Sequence, residues 1–441
     1  MTEKLDTDYL ILGAGAASMA FADVILQEDA SARIVLVDKR AAPGGHWNDA
    51  YSFVTLHQPA IFYGLNSTPL GSDATDLVSA PEIVTYFQQA MRRFLATGRV
   101  RFLSMCEHLG DGRVVSIVDP GVDYEVVAHR RVIDGTYMES RIPALHPPSY
   151  AVEDGVELIP PNGLTRIRQP YEEYVIVGAG KTAIDVVLFL MDNGVSAQRI
   201  TWITPNDSWL WERSTVQAGV GMRTVRTMVD TIIDTPDTDS VFLDLERKGI
   251  VSRIDPTRMP TKWRCATVDR AELAKLRLVE KVVRLGRVQK VHTRRIELDS
   301  GVVEISARSL VVDCTANGLT GRPPTPIYGT DSVRLQPIFM CQQTFSAAAL
   351  ARIELLQMDD TRRNRLVAPV PHPESKDDLG LALPLSIRNI LRVNAVLPTW
   401  LRGSRLFVGH HETLRTYLSE STRLALKMRH RTPALRAGYR A

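Results

Sequence analysis

The sequence predicts an α/β protein that contains two Rossmann-like units, and two observations support this prediction. A buried apolar strand, a glycine turn, a helix and a second strand follow one another in residues 8–38, and the same succession recurs in residues 174–204. Each unit is followed by an alternating β-meander and by a strand that ends in Asp-x-Thr, at 134–136 and 313–315. Because the whole succession occurs twice, it is stronger evidence than either motif alone.

The first glycine turn has the spacing of a dinucleotide-binding site. Gly13 permits the tight turn, Gly15 lets the backbone approach a pyrophosphate, and the small Ser18 lets the helix pack close to the strand. The helix begins near Ala16, so its free N–H groups would face the phosphates. The turn therefore predicts one end of a dinucleotide.

The first unit ends in an acidic residue, Asp38. Asp38 ends the second strand and is followed by Lys39, so its carboxylate can accept hydrogen bonds from ribose hydroxyl groups. The next turn contains Gly45, His46 and Trp47, which we expect to approach the far end of the cofactor. The aromatic stretch 51–71 that follows is either a cover over a flat cofactor or ordinary loop packing.

The second glycine turn predicts a second dinucleotide site. Its residues repeat the first spacing: Gly178, Gly180 and Ala183, with Lys181 and Thr182 between the last two. A P-loop is excluded, because that motif needs glycine five positions before Gly180 and the residue there is Val175.

The two units differ in the residue that would meet the ribose. The second one has no acid directly after its second strand, and Arg213 follows nearby. Loss of the acid with an arginine nearby favours a 2′-phosphate, hence NADPH over NADH. We therefore expect FAD in the first unit, NADPH in the second, and hydride transfer between them.

Composition excludes several other classes of protein. The chain has 441 residues, of which 44% are hydrophobic and 23% charged, and a net charge of +3 makes no case for nucleic-acid binding. No apolar run approaches the ~18 residues of a membrane span, and the N-terminus runs directly into the first strand without a signal peptide. Four scattered cysteines without a Cys-x-x-Cys pair exclude a zinc ribbon and a thioredoxin-reductase-type disulfide. We expect a cytoplasmic protein, with no metal site.

The chain resembles the class B flavoprotein monooxygenases, which include the flavin-containing monooxygenases and, more distantly, the Baeyer–Villiger and N-hydroxylating enzymes. The resemblance covers roughly residues 8–320. It rests on the two glycine fingerprints, on the Gly-Gly-x-Trp turn at 44–47, and on two connecting segments at 133–136 and 312–318. It implies FAD reduced by NADPH and then O₂ bound as a C4a-(hydro)peroxyflavin. One oxygen atom would pass to nitrogen, sulfur or a carbonyl carbon of a small organic substrate.

The resemblance also points to catalytic groups in the loop after the first unit. His57 and Gln58 stand where flavin-containing monooxygenases carry a Thr-Asn pair near the flavin, and Asn66 is close in sequence. The family's Phe-x-Gly-x-x-x-His signature is absent, because residues 162–171 read NGLTRIRQPY. Two alternatives therefore stay open: a flavin oxidoreductase that transfers electrons without oxygen insertion, and a flavin-binding regulatory protein without catalysis.

The expected domain order places the NADPH unit inside the FAD unit. Residues 1–165 would form the first part of the FAD-binding domain, and 319–441 would complete it with a C-terminal helix. Residues 166–318 would form the NADPH-binding domain, with a helical insertion at 214–285.

Overall fold

The computed structural model describes residues 2–71, 77–316, 318 and 321–430. Asn317, which lies in the second connecting segment, falls outside the described residues. The described strands are β1 (Thr2–Leu12), β2 (Ile34–Asp38), β3 (Val100–Ser104), β4 (Cys106–Gly110), β5 (Arg113–Ser116), β6 (Asp123–Asp134), β7 (Ala151–Val152), β8 (Leu158–Ile159), β9 (Glu173–Val177), β10 (Ile200–Ile203), β11 (Ser208–Glu212), β12 (Val251–Ser252), β13 (Lys262–Val268), β14 (Val282–Val283), β15 (Val288–Val291), β16 (Arg295–Leu298), β17 (Gly301–Glu304), β18 (Ser309–Asp313) and β19 (Ser332–Arg334). The α-helices are α1 (Ala16–Glu28), α2 (Ala80–Ala96), α3 (Lys181–Asp192), α4 (Gly221–Asp234), α5 (Thr238–Arg247), α6 (Arg270–Leu276), α7 (Gln343–Glu354), α8 (Asp360–Leu366), α9 (Leu379–Val396), α10 (Pro398–Gly403) and α11 (Leu414–His430).

The first sheet is built around β1. Its order is β3-β2-β1-β6-β5-β4, with β19 pairing to β6, and all pairs are parallel except those that join β4, β5 and β6. All five residues of β2 are buried, as expected for a strand covered on both faces of a parallel sheet. Helix α1 packs against α7 and α2 on this sheet. The predicted meander is confirmed as β4, β5 and the first part of β6.

The second sheet is wholly parallel. Its order is β14-β10-β9-β18-β8, and the short apolar strands β9, β10 and β18 form its centre. The second meander is confirmed as β15, β16 and β17, which pair antiparallel, and β7 extends it. After β18 the chain returns to the first sheet through β19. The carboxyl ends of β1 and β9 each lead into a glycine turn.

The expectation of a helical insertion at 214–285 is only partly right. Helices α4 and α5 are present, but α6 ends at Leu276, and β12, β13 and β14 also lie in this range. Strand β13 pairs with β11, which pairs with β12, in a separate three-stranded sheet. Alternation of buried residues along β13 favours a strand there, and the β-branched pair in β14 favours the edge of the second sheet.

The three-stranded sheet contributes to the cores of both larger sheets. Trp209 and Trp263 are fully buried and pack around Phe242, and all three belong to the same apolar cluster as β1, α1 and α7. Leu210 and Val268 of the same small sheet belong instead to a cluster of the second sheet, which has a further cluster of its own. One cleft is lined by residues that follow β1 and β9 and by residues of the three-stranded sheet. Over the described part of the chain, no helix combines the length and the apolar character that a bilayer crossing needs.

Candidate active site

The first glycine turn brings three chain segments into close approach. Gly13 has φ +84°, and α1 starts directly after Gly15 without a side-chain cap on its N–H groups. Ser18 is fully buried, and a Cβ placed on Gly135 at the end of β6 would lie 1.8 Å from its Oγ atom. Ser18 thus serves helix packing, while Gly13, Gly15 and Ala16 face the cleft. The uncapped N–H groups suit an anionic ligand.

Asp38 ties the end of β2 to the glycine turn. It is 5% exposed, its Oδ2 accepts from the Ala14 N–H at 2.6 Å, and its Oδ1 accepts from the Arg40 N–H at 2.8 Å. Each carboxylate oxygen keeps further lone pairs toward the cleft. Lys39 also borders the cleft, although its exposed ammonium pairs with Glu107 at 2.7 Å.

The Gly-Gly turn crosses directly over the first glycine turn. The Gly44 N–H donates to the Ala14 carbonyl at 2.8 Å, and a Cβ on Gly45 would lie 2.9 Å from the Gly15 Cα. His46 and Trp47 continue the wall with ring centroids 5.0 Å apart, and the Trp47 indole N–H donates to the Tyr63 hydroxyl at 2.7 Å. Burial lowers the pKa of His46 to about 4, with nearby Arg40 adding to the effect.

The second glycine turn repeats this geometry with one difference. Gly178 has φ +135°, and a Cβ there would lie 2.8 Å from the Cys314 carbonyl oxygen, whereas a Cβ on Gly180 would meet no atom within 4 Å. Helix α3 begins after Gly180, again without a side-chain cap. The open space above Gly180 is where a pyrophosphate would need the backbone to be bare. Ala183 is buried behind the turn, as packing of α3 requires.

Lys181 and Thr182 stand at the mouth of the second turn. Both border the cleft, and Lys181 forms an ion pair with Asp185 one helical turn later. The Asp185 carboxylate also accepts from the Tyr51 hydroxyl at 2.7 Å, a contact that joins the aromatic loop to α3. Burial raises the pKa of Tyr51 well above its usual value, so this hydroxyl stays protonated and donates.

His57 and Gln58 lie in the cleft wall between the two turns. The His57 carbonyl accepts from the Thr267 hydroxyl and from the Arg213 Nε–H, the latter at 3.1 Å. The Gln58 Oε1 accepts from the Gln342 amide at 3.2 Å. Burial, and then the positive charges of Lys181 and Arg213, lower the pKa of His57 to about 3, so the ring is neutral at physiological pH.

Two sequence predictions are corrected here. Arg213 does not border the cleft: its buried guanidinium donates to Asp269 at 2.7 Å and to Glu272 at 2.6 Å, which leaves little capacity for a phosphate. Asn66 is also outside the cleft wall, and its Oδ1 accepts from the Ser404 hydroxyl at 2.8 Å. Both residues follow motifs closely in sequence, but the chain turns them toward other elements.

Apart from Ser18 and Ala183, which pack behind the two turns, the remaining predicted residues border one continuous cleft of about 1410 Å³. This volume exceeds the 300–1,000 Å³ that is typical of a site for one small ligand. The apolar part of the wall comes from the three-stranded sheet, α4 and the segment before α7: Trp209, Trp211, Val225, Met228, Phe339 and Met340. Among the buried polar atoms of cleft-lining residues that have no hydrogen-bond partner in the described part of the chain are Trp209 Nε1 and Gln342 Oε1.

No pattern in the sequence indicated Thr267 and Cys265, which belong to no motif and reach the cleft only in the folded chain. Tyr51, the first residue of the aromatic stretch 51–71, also borders the cleft, as does the segment with Cys341 and Gln342. A disulfide joins Cys265 to Cys341, although 76 positions separate them. The sequence predicts no redox disulfide of the Cys-x-x-Cys type, and this bridge joins two cysteines that are far apart in the sequence. Within the described part of the chain, no group of three or more His, Cys, Asp or Glu side chains is placed to hold a metal ion.

Comparisons with known proteins agree with this architecture. No protein-family model matches the chain. Among solved structures, cyclohexanone monooxygenase with bound ε-caprolactone superposes with a TM-score of 0.52 at 13% identity, covering 96% of this chain and 98% of that one. The cyclohexanone monooxygenase of Rhodococcus sp. Phi1 bound to NADP⁺ gives 0.50 at 13% identity, covering 97% and 99%. The chain therefore shares the fold of cyclohexanone monooxygenase.

Closer relatives are found in mycobacteria. Uncharacterized proteins of Mycobacterium tuberculosis and Mycobacterium bovis are each 40% identical over 422 aligned residues, which cover 92% of this chain and 78% of theirs. The chain belongs to the family of these mycobacterial proteins.

Proposed function

We propose that the protein is an FAD- and NADPH-dependent monooxygenase that inserts one oxygen atom of O₂ into a nitrogen, a sulfur or a carbonyl carbon of a small organic substrate. The observation that carries the proposal is the cleft itself. Two helix N-termini without side-chain caps, each behind a glycine turn, open into one volume of about 1410 Å³. The class B fold supports the pairing of these two sites with FAD and NADPH.

The domain assignment follows from the same pairing. We assign residues 1–165 and 319–441 to a Rossmann-like FAD-binding domain and residues 166–318 to a Rossmann-like NADPH-binding domain. The pairing of β19 with β6 supports the return of the chain to the FAD-binding domain. The three-stranded sheet, to which the insertion contributes β12 and β13, would then form a wall between the two cofactors.

FAD would be held by the first turn and by Asp38. The N–H groups at the start of α1 would face its pyrophosphate, and the free lone pairs of Asp38 would accept from its ribose. The Gly-Gly turn with His46 and Trp47 would line the approach to the ring. When bound and reduced, the flavin supplies the electrons that activate O₂.

NADPH would be held by the second turn. Gly180 and the start of α3 would face the pyrophosphate, and Lys181 is already partly neutralised by Asp185. In place of Arg213, we assign the contact with the 2′-phosphate to Arg287. Its exposed side chain borders the cleft directly before β15, in the segment that joins β15 to β14, the neighbour of β10. The fork of a guanidinium matches phosphate oxygens.

The described residues would contribute position and exclusion of water rather than covalent chemistry. His57 is neutral and anchored through its carbonyl, so its ring can donate or accept one hydrogen bond without bringing a charge into the cleft. The apolar wall around Trp211 and Phe339 keeps water from a reactive cofactor. Small neutral or weakly polar substrates suit this wall.

A flavin oxidoreductase without oxygen insertion is the second candidate. It is favoured by the polar groups of the loop, because His57 is neutral and the Gln58 carbonyl is already bonded to Gln342. Neither group brings a charged proton donor to the cleft, which oxygen transfer would use.

Rapid mixing of the NADPH-reduced protein with oxygenated buffer distinguishes the two candidates. For a monooxygenase we expect an absorbance transient that differs from both oxidised and reduced flavin and that decays faster when substrate is present. Direct return to the oxidised spectrum, with stoichiometric hydrogen peroxide, would contradict oxygen insertion and favour the second candidate.

A further inference from the structure

The disulfide between Cys265 and Cys341 joins two parts of the cleft wall. Cys265 lies in β13 and is buried, and Cys341 precedes α7 and is half-buried, so the latter is the more accessible sulfur. Both residues border the cleft. The other two cysteines, Cys106 and Cys314, are free and buried, and burial raises the pKa of both thiols. A thiolate reagent that enters the cleft therefore meets the bridge at its Cys341 end.

The disulfide also connects the two segments that hydrogen-bond to the His57–Gln58 loop. On one side, Thr267 stands two residues after Cys265 and donates its hydroxyl hydrogen to the His57 carbonyl. On the other side, Gln342 follows Cys341 directly and donates to the Gln58 side chain at 3.2 Å. Thr267 and Gln342 therefore both hydrogen-bond to the loop. The disulfide links the two segments that carry them, with 6.7 Å between the Cα atoms of Cys265 and Cys341.

The backbone at both ends of the bridge lies in the left-handed region. Cys265 has φ +62°, and Met340, directly before Cys341, has φ +39°. A residue with a side chain adopts this region at an energetic cost and needs its surroundings to hold it there. Opening the bridge removes one of the constraints that hold these two segments, so both can relax away from the loop.

We propose that Cys265–Cys341 is a thiol–disulfide exchange site for dithiols, and that its oxidised form fixes the His57–Gln58 loop in the cleft wall. In the first step, a thiolate of the dithiol bonds to the Cys341 sulfur, the Cys265–Cys341 bond breaks, and Cys265 leaves as a thiolate that takes a proton. The second thiolate of the dithiol then displaces Cys341. The protein pair gains two electrons and two protons, and the dithiol becomes a cyclic disulfide.

The first test counts thiols in the full-length protein. Folded protein is treated with or without dithiothreitol, quenched in acid, and then denatured and alkylated before mass measurement. We expect two alkylated cysteines without dithiothreitol and four after it. Four alkylated cysteines even after incubation of the folded protein with oxidised glutathione would overturn the bridge. Two after dithiothreitol would overturn the exchange site.

The second test asks whether the bridge controls the loop. Hydrogen exchange of the amides in residues 55–60 is measured in the oxidised protein, in the reduced protein, and in the variants Cys265→Ser and Cys341→Ser. We expect exchange to rise several-fold in the reduced protein and to the same degree in both variants, and Cys106→Ala to match the oxidised wild type. Equal exchange in the oxidised and reduced proteins would contradict the proposal. Neither readout uses a flavin or an enzyme assay, so the outcome is independent of the proposed function.

Discussion

His57 shows how the cleft wall sets the chemistry of a single residue. Its pKa falls to about 3 from a usual 6.5, because burial and two nearby cations oppose a charge on the ring. Between these two pH values the unfolded chain binds one more proton than the folded chain does. The contribution of His57 to stability is therefore complete above pH 6.5 and declines as the pH falls toward 3.

Replacement of His57 by glutamine tests this titration. We expect the free energy of unfolding to fall less steeply in His57→Gln than in the wild type as the pH drops from 6 to 4, by about 1.4 kcal/mol per pH unit. Urea denaturation at a series of pH values measures the slope. Identical slopes for His57→Gln and the wild type would show that the ring is not held neutral.

Arg213 acts in the structure as a bridge between elements. Its guanidinium binds Asp269 and Glu272 at the start of α6 and the His57 carbonyl in the loop. We expect Arg213→Ala to lower the free energy of unfolding by about 2 kcal/mol, because charged hydrogen bonds are lost and their partners stay partly buried. Chemical denaturation measures this change. An Arg213→Ala protein of wild-type stability that binds NADPH more weakly would restore the role predicted from the sequence.

For Arg287 we expect an effect on NADPH use rather than on stability. Arg287→Ala should raise the KM for NADPH about tenfold and leave the KM for NADH nearly unchanged, since one charge-assisted contact with the 2′-phosphate is lost. Steady-state oxidation of both nucleotides measures the ratio. Arg294→Ala, in the turn of the neighbouring meander and outside the cleft lining, serves as the matched control. Equal effects on NADPH and NADH would exclude Arg287 from the phosphate contact.

At the scale of elements, the two glycines of the second turn have separable tasks. Gly178 is needed for the backbone, because it combines φ +135° with a close approach to the Cys314 carbonyl, whereas Gly180 faces open space. Gly178→Ala should therefore fold poorly. Gly180→Val should fold and keep its flavin but lose NADPH binding at least tenfold, because its side chain fills the position expected for the pyrophosphate.

Thermal unfolding and a nucleotide titration of the two glycine variants separate these effects. Gly380→Ala in α9 is the control, since a Cβ there also meets no atom within 4 Å and Gly380 does not border the cleft. Tight NADPH binding by a folded Gly180→Val protein would contradict the assignment of the second site.

The elements also show what the sequence could predict. Strands β2, β9, β10 and β18 and the last four residues of β1 are short apolar runs, and local pattern suffices to place them. The first part of β1 is polar and mostly exposed, so its extension back to Thr2 was not apparent from the sequence. The insertion was predicted less well, because the strand character of β13 depends on its pairing with β11, which lies fifty residues earlier in the chain. The alternation along the 7 residues of β13 favours a strand but is too short to exclude a helix without that pairing.

At the scale of the whole molecule, the cleft is lined by residues from all three ranges of the chain, 1–165, 166–318 and 319–441. Glycine turns and Asp38 could be found from the sequence because their conformations demand particular residue types. The positions of the Arg213 and Asn66 side chains could not be predicted in this way. Arg213 hydrogen-bonds to Glu272 and Asn66 to Ser404, and both partners are distant in sequence. The disulfide was missed for the same reason, because spacing carries no information about two cysteines 76 positions apart.

The most direct test of the two-cofactor account is an anaerobic titration of the purified, flavin-loaded protein with NADPH, followed by visible absorbance. The account predicts a yellow protein whose flavin absorbance bleaches with one equivalent of NADPH per chain and recovers when air is admitted. A colourless protein that does not take up FAD, or a yellow protein whose flavin stays oxidised with excess NADPH, would contradict it.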